Sequence, residues 1–501
     1  MRRIIPALTG VLAATAGVAV AQLAAAATRP QAGPLVAVGS AVIDATPTAV
    51  KEFAVRTFGT NDKPLLLGGI AVVLALFTAA VGVLSLRRRI VALFGAAVFG
   101  VVGIAAALSR PSAQPIDAGP SALGAVVAGV ALVLLLNAYD RPKPDDPTTP
   151  SPGRRAFLGA AATVAGAAAV AGGASTVVRR SRGGAVARSR DAIRLPAPAD
   201  PARPLPAGTD SGFVTSNADF YRVDTALTVP DIDVGSWRLK IHGMVDREVE
   251  LTFADLLARP LTERDITLNC VSNEVGGPYI GTARWLGVPL APLLREIGVA
   301  SGADQLVARS VEGMTIGTPL ETVFDGRDTM LCVAMNGEPL PPTHGFPVRM
   351  LTPGLYGYAG ACKWLTELEL TTFDTFDAYW VRRGWGREGT VKTASRIDRP
   401  RAFARLPVGP VTVAGVAWAQ RRGITKVEVR VDDGAWAPAQ LLPVPSTDTW
   451  VQWRHTWDAT AGAHTVTVRA TDGDGRVQPD ARVTPFPDGA TGWHSTTVTI
   501  G

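Results

Sequence analysis

The chain has 501 residues, 47% of them hydrophobic and 18% charged, and a formal net charge of +6. That length implies more than one domain, and three cysteines without a CxxC or CxxCH spacing exclude a disulfide scaffold, a zinc ribbon and a c-type haem attachment. The arginines cluster beside apolar runs, which reads as membrane topology and lipid-headgroup contact rather than a nucleic-acid surface. Hydrophobicity is unevenly spread: all 11 Trp and all five His lie after residue 236. In the first part four apolar runs, Ile4–Ala27, Pro64–Leu86, Ile90–Leu108 and Ser121–Ala138, match the roughly 17 to 25 residues that cross a hydrocarbon core. A fifth, Ala156–Val178, is mostly Ala and Gly and only weakly hydrophobic.

Arg2 and Arg3, the Arg87–Arg89 triplet, and the group Arg141, Lys143, Arg154 and Arg155 fall in alternate connections. Placed in the cytoplasm, they predict five spans, with the residues after 178 outside. Arg179, Arg180, Arg182, Arg188, Arg190 and Arg194 run against that rule. "SPGRRAFLGAAATVAGAAAV" resembles a twin-arginine export signal, a route for domains already folded around a cofactor; an ordinary positively flanked anchor is the alternative. "AAAA" at 24–27 also fits a cleavage site after a signal peptide. The four-span region is taken as 1–150, and the fifth helix with an Arg/Pro-rich linker as 151–205; residues 181–210 read as linker.

The remainder reads as a mixed α/β domain, 206–395, and an all-β domain, 396–501. "WRLKIHG" alternates like a strand, and "VELTFADLLAR" passes from strand to a short helix with Thr252 as N-cap. "DITLNCV" is a strand ending in a loop at Cys270, "WLGVPLAPLLREIGV" a helix stopped by Gly298, and "DQLVARSVEG" another strand. From residue 400, "VTVAGVAW", "KVEVRVD", "WVQWRHTW" and "HTVTVRATD" are short alternating strands between "DDG" and "DGDG" turns, a β-sandwich pattern. The Trp450, Trp453 and Trp457 stripe is expected in the sandwich core. Taken alone, Cys270 would be a buried thiol.

Its surroundings point elsewhere. "NADFYRVDTALTVP", "TLNCVSN", "GTARWLGVPL", "AMNGEPLPPTHGFPVRMLTPGLYGY" and "CKWLTELEL", in this order, resemble the sulfite oxidase family of molybdopterin enzymes. After the N-terminal transmembrane helices, about five, read from the apolar runs, the resemblance implies a mixed α/β sulfite-oxidase-type domain and an immunoglobulin-like dimerisation domain. It implies Mo-molybdopterin with Cys270 as the metal's thiolate ligand, a soft donor suited to a metal that cycles between high oxidation states. Asn217, Tyr221, Arg222, His344, Arg349, Gly360 and Lys363 match the cofactor-binding positions.

Three departures bear on substrate. Val223-Asp224-Thr225 stands where the family's sulfite oxidases have Arg-Asn-His, and Asn273-Glu274-Val275 where they have Asn-Arg-Arg. Val333 replaces a tyrosine. These losses disfavour sulfite, although Arg284 or Arg222 would compensate, and leave a small oxyanion or a sulfoxide as substrate. Cys332 and Cys362 form either a disulfide or two buried thiols. The membrane half has no His, no Cys and no Met beyond Met1, so it is expected to hold no haem of its own. Electrons would pass to a separate cytochrome or membrane redox subunit. The enzyme is expected in the cell membrane, its catalytic domain facing outward, as a homodimer. A cofactor-free surface scaffold is the rival from another class.

Overall fold

The structure is a computed structural model and describes residues 4–47, 50, 53–54, 57–58, 62–140 and 152–501, the side chains of 62 and 152–154 excepted. Arg2, Arg3, Arg141, Lys143 and the Arg154 side chain therefore lie outside the described residues. The chain divides into two compact units, Met1–Ala187 with Thr225–Asp231, and Arg188–Asp224 with Ile232–Gly501.

The first unit is helical: α1 Ile4–Ala27, α2 Pro34–Ala45, α3 Asp62–Leu84, α4 Ile90–Leu108, α5 Ala118–Tyr139 and α6 Pro152–Asp191. Five of these are long and apolar enough to cross a membrane; α2, at 12 residues, is too short and was not foreseen. Glycines let the helices meet closely. A Cβ on Gly124 would lie 2.9 Å from the Ala21 Cβ, and one on Gly17 2.8 Å from the Ala128 Cβ, so α1 and α5 cross on small residues. Large apolar side chains such as Val73, Leu76 and Val170 stay exposed, the reverse of a water-soluble helix packing. One polar knot joins the bundle: Asp117 accepts from Arg29 at 2.9 Å and Arg110 at 2.7 Å. The α6 helix continues to Asp191, so residues 181–191, read above as linker, are helical and carry three of the anomalous arginines, Arg182, Arg188 and Arg190; Arg179 and Arg180 lie earlier in the same helix, and Arg194 lies beyond its end.

In the second unit a five-stranded sheet has the order β2-β1-β10-β5-β6, from β1 Arg238–Gly243, β2 Val249–Thr252, β5 Gln305–Ser310, β6 Thr315–Pro319 and β10 Leu365–Thr371. The foreseen turn into α7, Phe253–Leu257, is capped by Thr252, whose hydroxyl accepts from the Asp255 amide at 3.1 Å. A second sheet runs β3-β4-β7-β8, from β3 Thr262–Asn269, β4 Ile280–Pro289, β7 Met330–Met335 and β8 Glu338–Pro339, with β9 Arg349–Leu351 also on β7. Here the sequence reading needs correction. "WLGVPL" belongs mostly to β4, and only Leu290–Ile297 forms the helix, α8. Trp285, Leu286 and Val288 are buried against both sides of the sheet, so their apolar run mimicked helical spacing. Gly298 ends α8 at φ +82°, as expected.

Residues 394–500 form a sandwich of two facing sheets from β11 Ala394–Arg399, β12 Arg405–Leu406, β13 Gly409–Trp418, β14 Ile424–Val431, β15 Ala437–Pro438, β16 Gln440–Leu441, β17 Val451–Ala459, β18 Gly462–Asp472 and β19 His494–Ile500. Their orders are β11-β13-β17-β16 and β12-β19-β18-β14-β15. Trp453 is in its core with Val413, Val427 and Val466. Trp450 is not: it packs with Phe213, Val271, Ile280 and Tyr356 of the α/β domain, its indole donating to the Phe213 carbonyl at 3.0 Å. The outer edge of β3 is likewise completed by the sandwich side. The Thr267 amide donates to Asp448 O at 2.9 Å, its carbonyl accepts from Gln420 at 3.1 Å, and its hydroxyl from the Trp450 amide at 2.7 Å.

Candidate active site

Cys270 is the first residue beyond β3 and is buried. Its amide donates to Tyr279 O at 2.9 Å and its carbonyl accepts from the Asn273 amide at 3.0 Å, which closes a short loop over the strand end. Asn273 braces that loop by accepting from the Tyr279 amide at 2.8 Å, and Arg396 of the sandwich donates to Gly277 O at 2.9 Å. Burial raises the Cys270 thiol's pKa, opposed by hydrogen bonds at Ser272 and by the positive charge of Lys363. Such a thiol ionises when a metal binds it.

From Tyr279 a line of rings leads to the other expected residues. Tyr279 lies 6.4 Å from Tyr221, Tyr221 stacks on Phe220 at 5.2 Å, and Phe220 meets His344 edge-on at 5.6 Å. Desolvation raises the Tyr221 phenol, with Cys270 adding to it. His344 Nε2 donates to Asn217 O at 2.8 Å, and burial lowers the ring's pKa to about 4, so it is neutral. Arg349 Nη1 donates to His344 O at 3.1 Å, beneath the face of Trp285. Gly345, at φ +113°, lies where a Cβ would come within 3.2 Å of the Lys363 Cα, so glycine allows these two segments to touch. Lys363 binds Asp224 at 2.7 Å, Asp224 also accepts from Arg222 at 2.9 Å, and desolvation lowers Lys363 to about 8. All the expected residues except Gly360 are thus joined through successive contacts.

Two of them differ in detail from their expected use. The Asn217 side chain is committed to Met335 O, Glu338 and Asn336, so its backbone carbonyl is the part that faces His344. Gly360 packs on its own turn, where a Cβ would lie 2.9 Å from the Leu355 Cβ. Cys332 and Cys362 are free, buried thiols. Sequence reasoning missed Asn269 and Thr352, whose buried Oδ1 and Oγ1 atoms have no hydrogen-bond partner among the described residues; adjacency of Asn269 to Cys270 was the available signal for one of them. A separate group, His242, Glu367 and Glu369, gathers donors within 4.8 Å, but Arg309 ion-pairs with both carboxylates, which makes it a salt-bridge cluster on the first sheet.

Residues 226–380 match the family model described as "Oxidoreductase molybdopterin binding domain", and 395–468 match "Bacterial Ig domain". The uncharacterized oxidoreductase YuiH of Bacillus subtilis is 33% identical over 183 residues, 36% of this chain and 89% of that one. The sulfite oxidase of Gallus gallus is 29% identical over 318 residues, 54% of this chain and 69% of that one. The chain belongs to the sulfite oxidase family of molybdopterin-dependent oxidoreductases. It spans between 51% and 69% of the length of the sulfite oxidases it matches. The sulfane dehydrogenase SoxCD of Paracoccus pantotrophus shares the fold, with a TM-score of 0.51 at 24% identity, over 58% of this chain and 82% of that one.

The pocket's own chemistry fits the family's cofactor. Arg349 is a buried guanidinium with no carboxylate partner among the described residues, and its Nε has no hydrogen bond. An uncompensated buried cation is costly unless an anion joins it, and the cofactor carries a phosphate. The unpartnered atoms of Asn269 and Thr352 are similarly placed in the segments next to Cys270 and Gly360.

Proposed function

We propose that this chain is a membrane-anchored molybdenum oxidoreductase that exchanges one oxygen atom and two electrons with a small substrate. The observation that carries it is a buried thiol at a strand end, linked through Tyr279, Tyr221, Phe220 and His344 to a buried guanidinium with no carboxylate partner among the described residues. Bound Mo-molybdopterin would supply the metal that accepts or donates the oxygen atom and the electron pair. Cys270 would supply its thiolate. Arg349 and Lys363 would meet the anionic part of the cofactor, and His344, held neutral, would offer Nδ1 to it while Nε2 anchors the Asn217 segment. Tyr221 and Arg222 lie on that same segment and would close over the pterin; Gly360 shapes the turn beneath it.

Turnover balances in either direction. Sulfite and water would give sulfate, two electrons and two protons; a sulfoxide, two electrons and two protons would give a sulfide and water. The sulfoxide direction gains support from the two arginines that would have had to compensate for the lost anion-binding groups: Arg284 is held by Asp265, and Arg222 by Asp224. Electrons would pass through a separate protein; the five apolar helices support an anchored enzyme, and its catalytic domain would face outward. The sandwich would pair two copies. The test is metal and pterin analysis of the full-length chain from a host that makes the cofactor, followed by turnover of Cys270→Ser. One molybdenum per chain is expected, with turnover absent in the folded serine variant, because oxygen replaces soft sulfur poorly. A metal-free chain would favour the scaffold reading.

A further inference from the structure

On the sandwich, residues 399–408 combine a pinned backbone with apolar and basic side chains turned to water. The Phe403 amide donates to Thr497 O at 2.7 Å, the Thr499 amide to Ala404 O at 2.9 Å and the Gly501 amide to Leu406 O at 3.0 Å. These bonds tie β12 and the residues before it to β19. Ala404 and Leu406 pack inward beside Val411, Val498 and Ile500. Phe403 does the opposite: it is 82% exposed, at φ +60°, a conformation that a bulky side chain seldom takes. Val408 is 60% exposed, and Arg399, Arg401 and Arg405 are exposed with no ion pair among the described residues. Residues 399–408 include no acid, and Asp398 just before them is held by Arg396 at 2.6 Å.

We infer that this tip is a membrane-surface contact: Phe403 enters the interfacial layer of an anionic bilayer while Arg399, Arg401 and Arg405 meet lipid phosphates. A loose loop would fold such a ring against its own domain, whereas the bonds to β19 hold it out, already arranged for contact. An aromatic side chain among arginines is a composition that anionic headgroups attract, each arginine adding to the pull. A second copy of the chain fits poorly. Two-fold pairing through this tip would set its three arginines against three more like charges. The inference rests on the anchored reading proposed above and not on the metal. In a chain already held at a bilayer by apolar helices, a weak contact of this size is enough, because its effective concentration is high.

The experiment uses the full-length protein carrying Ala402→Cys, labelled with a bimane fluorophore, so that Phe403 stays in place. The native cysteines are buried, and wild type treated with the same reagent gives the background. The protein is reconstituted into vesicles of brominated phosphatidylglycerol or of brominated phosphatidylcholine, bromine being a contact quencher. Emission should be roughly twofold lower in the anionic vesicles, and high salt should shrink the difference. Phe403→Gly, or Arg401→Glu with Arg405→Glu, should abolish the difference, and Phe403→Trp should keep it. Phe403→Gly should still melt close to its parent, because glycine takes φ +60° without strain. Equal quenching by the two lipids overturns the inference. So does shielding of the label that persists in detergent and grows with protein concentration, which would give the tip to a second copy. A chain that floats with neither kind of vesicle overturns the anchored reading itself, and is recognised before any emission is compared.

Discussion

The imidazole of His344 donates through Nε2 to the backbone carbonyl of Asn217, 2.8 Å away and 127 residues earlier in the chain. A carbonyl only accepts, so the proton is on Nε2 and Nδ1 is left bare. Burial holds this ring neutral to about pH 4. The folded-state pKa is thus depressed below the ordinary value, and the unfolded chain takes up a proton that the folded one refuses. Stability should fall as pH drops from about 6.5 to 4, by up to roughly 3 kcal/mol from this group. Thermal midpoints across that window should show a shallower decline for His344→Gln than for wild type. Equal slopes would mean that His344 is not the group responsible, and His494, also lowered by burial, would be examined next.

Arg349 gives a prediction with opposite signs for binding and stability. Arg349→Met should lose at least about tenfold in pterin content, since the charge-assisted anion contact is gone. The cofactor-free protein should be no less stable, because a buried donor without a partner costs about 1–3 kcal/mol. Normal pterin content in the variant would remove Arg349 from the site.

Export should depend on the arginine pair that opens α6. Replacing Arg154 and Arg155 with Lys should keep the catalytic domain inside the cell, since a folded, cofactor-loaded domain needs the twin-arginine route. Protease added to intact cells should then fail to reach it. Cleavage equal to wild type would leave an ordinary anchor as the better description.

An absorption spectrum of the full-length chain, purified without partners, should show no stoichiometric Soret band. Axial haem ligands are usually His, Met, Cys or Tyr, and the spans offer no His or Cys. Tyr139, at the end of α5, is the remaining side chain of that kind in the five apolar helices. A haem that survives Tyr139→Phe would show that the electron path begins inside this chain.

Local patterns made most of the architecture readable. The helices stood out because each apolar run exceeds what a soluble core requires, and Thr252 and Gly298 marked their elements through capping chemistry. Cys270, His344, Arg349 and Lys363 were found through short motifs, and the fold joins them by contacts those motifs do not contain. What stayed hidden depends on long-range neighbours. Burial of β4 on both sides made a strand look helical, and Trp450 serves the α/β domain although its sequence neighbours build the sandwich. Asp224 was noticed only as part of a segment that departs from the family's Arg-Asn-His; its ion pair with Lys363 required that residue to arrive from 139 positions away.

Thr267 lies three positions before Cys270 on an edge strand, and the sandwich side supplies partners for its amide, carbonyl and hydroxyl. A chain cut at residue 395 would strip all three and expose Val271, Ile280 and Tyr356 as well. The immunoglobulin-like domain is therefore no exchangeable bead on this chain. Swapping in an unrelated sandwich would loosen the strand that aims the thiol, even if the substitute dimerised perfectly well. Modularity here ends at a hydrogen-bonded strand edge.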